Sequence, residues 1–485
     1  MSARRKGMSA LAAGLAVWPL LGGCALVQGL GDPKPAWEDP PPPPREAPVV
    51  QEGALDRGSL ENGLTLMVLE DHRTPMVVLG VALPRGASVV DPAEAGLATL
   101  AAEVMERGAG ERDALELAVA IEDLGAQLSV SVGWDTTTVS ISGLSRDADR
   151  LFELLSDVVL RPRFEESEAI KARGERMASL AQAQDEPATL VGWQALRVLY
   201  PGHRFGLPLD GTPETVSRFD AAAARRYHEK IFRPVEAVFF AAGDVASDDI
   251  IDRARDHFGS SSWPAADPVP ASPPPPARAP ERTRVVVVDK PDLGQARIVL
   301  AHEGIDRRHP DRVAADVMNK VFGGSGFSSR LMARVRSDEG LTYGVYSGFD
   351  LRRQPGPFRV STFTRVEEAG RMVELLLEEM GRIREEPPTE VELAQAISLA
   401  VGRFGLGLES SEAVLAGLVN LEVYDLPPDS LDTYRTRVRA VDAEAAADTA
   451  RRFIHPDRVA IVVLGPAEAL VPQLERFGKV ETVNP

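Results

Sequence analysis

The sequence predicts an α+β protein built from two homologous domains, each a mostly antiparallel sheet covered on one side by helices. Its 485 residues exceed one ordinary domain and suit two of about 200 residues each. Strand-like and helical periodicities alternate in both halves, as in sheets covered by helices. A pattern of residues also occurs twice in the same order, which indicates that the second half repeats the first.

The predicted elements of the two halves correspond. Strand-like runs open each half, at residues 64–69 and 77–83 and again at 284–288 and 296–301. Long amphipathic helices follow in both, at residues 147–160, 166–184, 366–384 and 389–405.

The repeat itself is readable in short matches. Residues 101–105 (AAEVM) return at 314–318 (AADVM), an offset of 213 residues. Four further positions match at an offset of 215: Gly125, Val130, Gly133 and Asp135 with Gly340, Val345, Gly348 and Asp350. Two copies of one domain are the simplest explanation.

The composition excludes some partners. A net charge of -18 argues against nucleic acid, whose phosphates attract basic proteins. The acidic residues are spread along the chain, so we attribute them to solubility. Hydrophobic residues make up 44% of the chain, enough for two real cores.

Residues 1–23 have the pattern of a secretory signal peptide. Basic residues 4–6 precede an apolar run at 8–21. That run is too short to span a bilayer, which takes about 20 apolar residues. The first 23 residues are therefore predicted to be removed.

The end of this signal resembles the lipobox of bacterial lipoproteins. It reads LGGC at residues 21–24, and Cys24 is the only cysteine in the chain. The resemblance implies that Cys24 is lipidated, and Ala25 after it implies sorting to the outer membrane. We expect an outer-membrane lipoprotein that faces the periplasm and holds the membrane through its lipid. The alternative is a plain signal peptide with an incidental cysteine.

Two proline-rich segments organise the rest. Residues 24–50 predict a stiff linker, because consecutive prolines favour extended polyproline conformation. Residues 263–281 predict a second linker, which separates an N-terminal domain at 51–262 from a C-terminal domain at 282–485.

The segment 322–348 carries the residues of greatest chemical interest. It predicts a glycine-rich turn, a short helix and a strand. Leu331 and Val335 share a core-facing side of the helix, which places Arg336 beside that side, and Tyr343 comes early in the strand. A guanidinium and a phenol so placed can both donate to one carbonyl oxygen. Alternatively, Arg336 is a solvated helix residue and Tyr343 belongs to the core.

The repeat favours the functional interpretation. At the offset of 215, Arg336 corresponds to Ile121 and Tyr343 to Leu128. The fold therefore accepts apolar side chains at both positions, and the polar pair in the second copy needs another explanation.

Residues 96–105, GLATLAAEVM, resemble the zinc helix of the pitrilysin/insulinase superfamily, which includes the mitochondrial processing peptidases. In that family the helix carries H-x-x-E-H, two zinc-binding histidines around a general-base glutamate. The resemblance extends over residues 51–485 and includes further short matches. These are ENGL at 61–64, GG at 323–324, SRL at 329–331, Arg336, and GLTY at 340–343.

The zinc-binding residues of the family are missing here. The motif positions hold Thr99, Ala102 and Glu103, and the third ligand position falls at Ser179, with Glu175 one turn away. None of the seven histidines forms a pair at metal-ligand spacing. We therefore expect no catalytic residue, no metal and no other cofactor in this chain, and a degenerate zinc site in the N-terminal domain.

The resemblance implies a divided enzyme. Some bacterial members of the family pair a zinc-bearing subunit with one that lacks zinc but keeps the arginine and tyrosine, which bind substrate opposite the zinc. The leading hypothesis is therefore a non-catalytic subunit that binds peptide substrates through Arg336 and Tyr343, in a heterodimer with a zinc-bearing homologue in the periplasm. The alternative is a pseudoenzyme scaffold or assembly protein with no role in proteolysis. An autonomous peptidase is disfavoured, because too few ligands remain.

Overall fold

The structure is a computed structural model, and it describes residues 48–50, 53–267 and 281–485. The predicted signal peptide, Cys24 and most of both proline-rich linkers lie outside the described residues. Residues 48–485 form one contact unit, so the predicted division into two domains stays a prediction.

The first half builds a six-stranded sheet. Its strands are β1 (Leu55–Ser59), β2 (Thr65–Glu70), β3 (Met76–Leu83), β4 (Gln127–Val132), β5 (Thr137–Leu144) and β6 (Val238–Gly243). They lie in the order β1-β2-β6-β3-β5-β4. All neighbours are antiparallel except β2 and β6.

The second half repeats this sheet. Its strands are β7 (Arg284–Asp289), β8 (Gln295–Glu303), β9 (Val345–Phe349), β10 (Pro357–Arg365), β11 (Ala460–Gly465) and β12 (Val480–Val483). The order β12-β7-β11-β8-β10-β9 matches that of the first sheet in its last five strands. Only the outer strand differs, because β1 precedes its sheet and pairs antiparallel while β12 ends the chain and pairs parallel. The predicted α+β architecture of two mostly antiparallel sheets is confirmed.

Sixteen helices accompany the described strands. Those of the first half are α1 (Leu97–Met105), α2 (Ala114–Glu122), α3 (Ala148–Leu160), α4 (Glu166–Asp185), α5 (Pro187–Leu199), α6 (Pro213–Val216), α7 (Ala221–Ile231) and α8 (Ser247–Phe258). Those of the second half are α9 (Arg312–Asn319), α10 (Arg330–Met332), α11 (Ala369–Glu385), α12 (Glu390–Leu406), α13 (Ser411–Val423), α14 (Ser430–Arg439), α15 (Ala443–Phe453) and α16 (Ala467–Leu474).

The two halves exchange one helix each. Helix α5 of the first half packs on β8 and β11 of the second sheet, where Leu190 and Leu199 join Val299 in one buried cluster. Helix α13 of the second half packs on β3 and β6 of the first sheet, where Leu415 joins Met67. The prediction that helices cover only one side of each sheet is therefore wrong, because the other side of each sheet is covered by a helix from the other half.

Among the described residues, no single helix combines the length and apolarity needed to cross a membrane. Helices α12 and α13 meet that requirement only as a pair, and they bend by 110° at their junction.

Candidate functional site

Arg336 and Tyr343 line one open pocket of about 270 Å³. Arg336 lies in a π-helical segment, Ala333–Asp338, that continues α10, and it is half-buried. Tyr343 lies in the loop before β9 and is 83% exposed. This exposure excludes the alternative in which Tyr343 is a core residue.

The local sequence explains how the π-helical segment is held. Ser329 caps α10, because its hydroxyl accepts the Met332 backbone N–H at 3.4 Å. Leu331 and Val335 are both fully buried, as their spacing predicts. Single turns of π-helix occur frequently at functional sites, since the extra residue re-aims neighbouring side chains.

The turn after this segment returns Tyr343 towards Arg336. Gly340 has a φ of 65°, and its N–H donates to the Arg336 carbonyl at 3.1 Å while the Leu341 N–H donates to the Val335 carbonyl at 2.9 Å. This double closure resembles a Schellman motif in which each hydrogen bond spans one residue more, as expected after a π-helical segment, and its left-handed residue favours glycine. Tyr343 follows three residues later and reaches the same pocket.

The Arg336 guanidinium is unlike those of its neighbours. Arg330 pairs with Glu392 at 2.7 Å, and Arg334 approaches a carboxylate as well. In the described ranges, Arg336 pairs with no carboxylate. Its guanidinium instead lies over the ring of Phe327, 4.3 Å from the ring centroid. A ring below the guanidinium plane leaves the in-plane N–H donors of Arg336 available to a ligand.

The corresponding positions of the first half are apolar and packed. Ile121 in α2 and Leu128 in β4 are both partly buried against the core of that half. The polar pair of arginine and tyrosine therefore occurs at these positions only in the second half.

Helix α1 carries the degenerate zinc positions. Thr99 is buried, and its hydroxyl donates to the Gly96 carbonyl at 3.1 Å. Ala102 is also buried and offers no ligand atom. Neither side chain presents a free donor atom for a metal.

The carboxylate of Glu103 is occupied by an arginine. Arg176 of α4 pairs with Glu103 and contacts Asp210 at 2.6 Å. Burial raises the pKa of Glu103 above its ordinary value, and the Arg176 guanidinium opposes that rise. Ser179, one turn further along α4, is exposed. Its neighbouring candidate Glu175 pairs with Arg107 at 2.6 Å.

These residues do not fit the zinc that the family implies. A zinc site needs three protein ligands at least, but here one hydroxyl bonds the backbone and one carboxylate pairs with a guanidinium. Throughout the part of the chain that the structure describes, no three His, Cys, Asp or Glu side chains are grouped to hold a metal ion.

Sequence reasoning missed two residues of these sites. Arg176 lies one turn before Ser179 on the same side of α4, and that spacing was the available signal. Phe327 is 76% exposed within the glycine-rich turn, and an aromatic residue among glycines and serines was the signal there. The structure brings Arg336 and Tyr343 together in one pocket, and no residue of α1 lines that pocket.

Comparisons with known proteins agree with this description. Residues 66–212 match the family described as "Insulinase (Peptidase family M16)", and residues 218–399 match "Peptidase M16 inactive domain". An uncharacterized zinc protease of Streptomyces coelicolor is 26% identical over 85% of this chain and 90% of its own length. The mitochondrial-processing peptidase subunit beta of Mus musculus is 23% identical over 85% of this chain and 84% of its own.

Solved structures show the same fold. A peptidase M16 inactive domain from Pseudomonas fluorescens aligns with a TM-score of 0.78 and 26% identity, over 85% of this chain and 98% of its own. A protease from Helicobacter pylori aligns with a TM-score of 0.78 over 85% of this chain and 99% of its own, at 19% identity. The chain is a member of the pitrilysin/insulinase superfamily.

Proposed function

We propose that this chain is a non-catalytic, substrate-binding subunit of a periplasmic insulinase-type zinc metallopeptidase, whose zinc is held by a homologous partner subunit. One observation carries the proposal. Arg336, without a described carboxylate partner, shares a pocket with the exposed phenol of Tyr343. The similarity to a protein named as one subunit of a processing peptidase supports a divided assembly.

The two side chains suit a peptide carbonyl. The guanidinium offers several N–H donors in one plane, and the phenol offers one O–H donor. Both can donate to the same oxygen, and both bonds strengthen as negative charge develops on that oxygen during attack on the carbonyl. In this proposal the hydrolytic metal and its water belong to the partner, since α1 holds no ligand set.

The proposal also includes a place in the cell. Lipidation of Cys24 would tether the mature chain to the outer membrane, with residues 24–50 as a spacer on the periplasmic side. One acyl chain binds membranes only weakly, so durable anchoring needs more than one.

Reconstitution with a zinc-bearing homologue from the same organism tests the function. We expect Arg336→Ala to lower kcat/KM for a fluorogenic peptide by about 10²–10³, the usual cost of one lost charge-stabilising donor. Arg336→Lys should restore part of the rate, because a lysine keeps the charge but not the planar fork. Gel filtration should show unchanged assembly. If Arg336→Ala assembles and cleaves at the wild-type rate, the chain is instead a scaffold or assembly protein.

A further inference from the structure

The pocket that holds Arg336 and Tyr343 is strongly basic. Nine residues line it; Arg336 and Arg365 are the charged ones, and no Asp or Glu is among them. The whole chain has a net charge of -18, so a pocket whose charged lining residues are both cations departs from the rest of the molecule.

A third arginine supports the floor of this pocket. Strands β8 and β10 pair Gln295 with Arg365 and Arg297 with Phe363. Side chains two residues apart on a strand share a face, so all four lie on one face of the second sheet. The Arg297 guanidinium stacks 4.7 Å from the ring of Phe363, which lines the pocket.

Two of these three guanidiniums have no described acidic partner. Arg297 and Arg336 each rest on an aromatic ring, and neither forms an ion pair within the described ranges. Arg365 approaches Glu367 at 3.3 Å and Glu368 at 3.5 Å. All three of these side chains are at least one-third exposed, so this pairing is weak and easily replaced. The cluster therefore keeps a positive charge.

The rest of this sheet face is already occupied. Further along β8, the alternation of side chains places Val299 and Ala301 on the same face, where α5 covers them. The arginines lie at the end of the face that α5 leaves uncovered, since Arg365 and Gln295 are both exposed there.

We propose that this pocket selects peptides that carry a carboxylate next to the carbonyl held by Arg336 and Tyr343. The carboxylate belongs to an acidic side chain or to the C-terminus of the peptide. This inference rests on the proposed function and narrows its substrate class. A pocket of about 270 Å³ takes one side chain and no folded element, and its two charged lining residues, Arg336 and Arg365, repel a basic side chain.

The test is a binding assay with peptides that differ in one group. The full-length protein in detergent is titrated with acetylated, amidated decapeptides that carry glutamate, glutamine or lysine at the centre and a neutral fluorophore. A charge-assisted hydrogen bond exceeds a neutral one by about 1 kcal/mol, so the glutamate peptide should bind about fivefold tighter than the glutamine peptide. The lysine peptide should bind weakest, and the preference should shrink as salt is raised. A glutamine peptide with a free C-terminal carboxylate distinguishes the two sources of the carboxylate.

Two variants locate the preference. Arg297→Gln should lower the ratio of glutamate to glutamine affinity towards 1, because one cation of the cluster is lost, and should weaken binding of the glutamate peptide more than binding of the glutamine peptide. The control is Arg476→Gln, outside the pocket, which removes a stack on Phe477 at 4.8 Å together with a hydrogen bond to the Gly370 carbonyl at 2.7 Å. It should leave the ratio unchanged.

The outcomes separate this inference from the proposed function. Equal binding of the glutamate and glutamine peptides would overturn the carboxylate preference and leave the proposed function standing. Equal loss of both affinities in Arg297→Gln would show a structural effect and also overturn the preference. If no peptide binds in any form, the proposed function is wrong and this inference falls with it.

Discussion

Glu103 of α1 and Arg176 of α4 form an ion pair that joins the two helices. Their side chains are 31% and 15% exposed, so the pair lies at the edge of the core rather than in open solvent. Catalytic relatives use the matching region for zinc, as the resemblance implies. Here the positive charge beside α1 is the guanidinium of Arg176, a residue of the neighbouring helix α4.

The first prediction concerns metal content. We expect the purified full-length protein to contain well below one zinc per chain, because Thr99 and Ala102 offer no ligand and Glu103 is paired with Arg176. Elemental analysis after dialysis against zinc checks this. One zinc per chain that resists dialysis, with peptide cleavage lost on chelation, would contradict it.

The second prediction concerns the Glu103–Arg176 pair. Arg176→Met leaves a half-buried carboxylate without its partner, and we expect a loss of about 1–3 kcal/mol in the free energy of unfolding at pH 7. The pKa of Glu103 is already raised by burial, and loss of the guanidinium raises it further. A group with a raised folded pKa adds stability at low pH, so the deficit should shrink as pH falls towards the ordinary glutamate value of about 4.5.

Urea unfolding of the wild type and two variants at several pH values measures this effect. Glu103→Gln combined with Arg176→Met should be more stable at pH 7 than Arg176→Met alone, because the half-buried carboxylate is gone. Asp210, the other partner of Arg176, loses its contact in both variants but is 44% exposed. A deficit that is the same at every pH, or a double variant that is no better, would show that Glu103 is not the cause.

The third prediction concerns the exchanged helix. Leu199 of α5 is fully buried in the cluster with the second sheet. We expect Leu199→Ala to cost about 2–5 kcal/mol and to destabilise both halves in a single unfolding transition. Leu115→Ala is the matched control, since Leu115 is 72% exposed, and it should change stability by less than about 0.5 kcal/mol. Two separate transitions in calorimetry would show that the halves are independent.

The fourth prediction concerns Cys24. We expect Cys24→Ala to release the protein from the outer membrane or leave it unprocessed, because the cysteine is the proposed site of lipidation. Fractionation of cells and mass determination of the mature N-terminus check this. Unchanged membrane association in Cys24→Ala would count against a lipid anchor.

The architecture was predictable because hydrophobic periodicity indicates helices and strands, and the internal repeat indicates two similar halves. The helix predicted at residues 166–184 is α4, Glu166–Asp185. The exchange of α5 and α13 was not predictable, since an apolar helix face shows only that it is buried and not against which sheet. The spacing of Arg176 from Ser179 was visible in the sequence, but its pairing with Glu103 was not, because Glu103 is distant in the chain.

The start of the strand near Tyr343 was not predicted correctly from the sequence. The sequence predicted that Tyr343 comes early in a strand, but β9 begins only at Val345. The Thr342 hydroxyl accepts the Gly344 N–H at 3.2 Å and donates to the Gly344 carbonyl at 3.1 Å. Such side-chain hydrogen bonds compete with the strand ladder. The resulting turn delays the start of the strand and leaves Tyr343 exposed in the pocket of Arg336.

Arg336 and Tyr343 are proposed to bind substrate for a partner's active site. The most direct test compares Tyr343→Phe with Tyr346→Phe in the reconstituted complex, since both remove only a hydroxyl from an exposed tyrosine. We expect Tyr343→Phe to lower kcat/KM by about 100-fold or more and Tyr346→Phe to retain the wild-type value, with assembly unchanged in both. Wild-type kcat/KM in Tyr343→Phe, in a complex that assembles normally, would contradict the account.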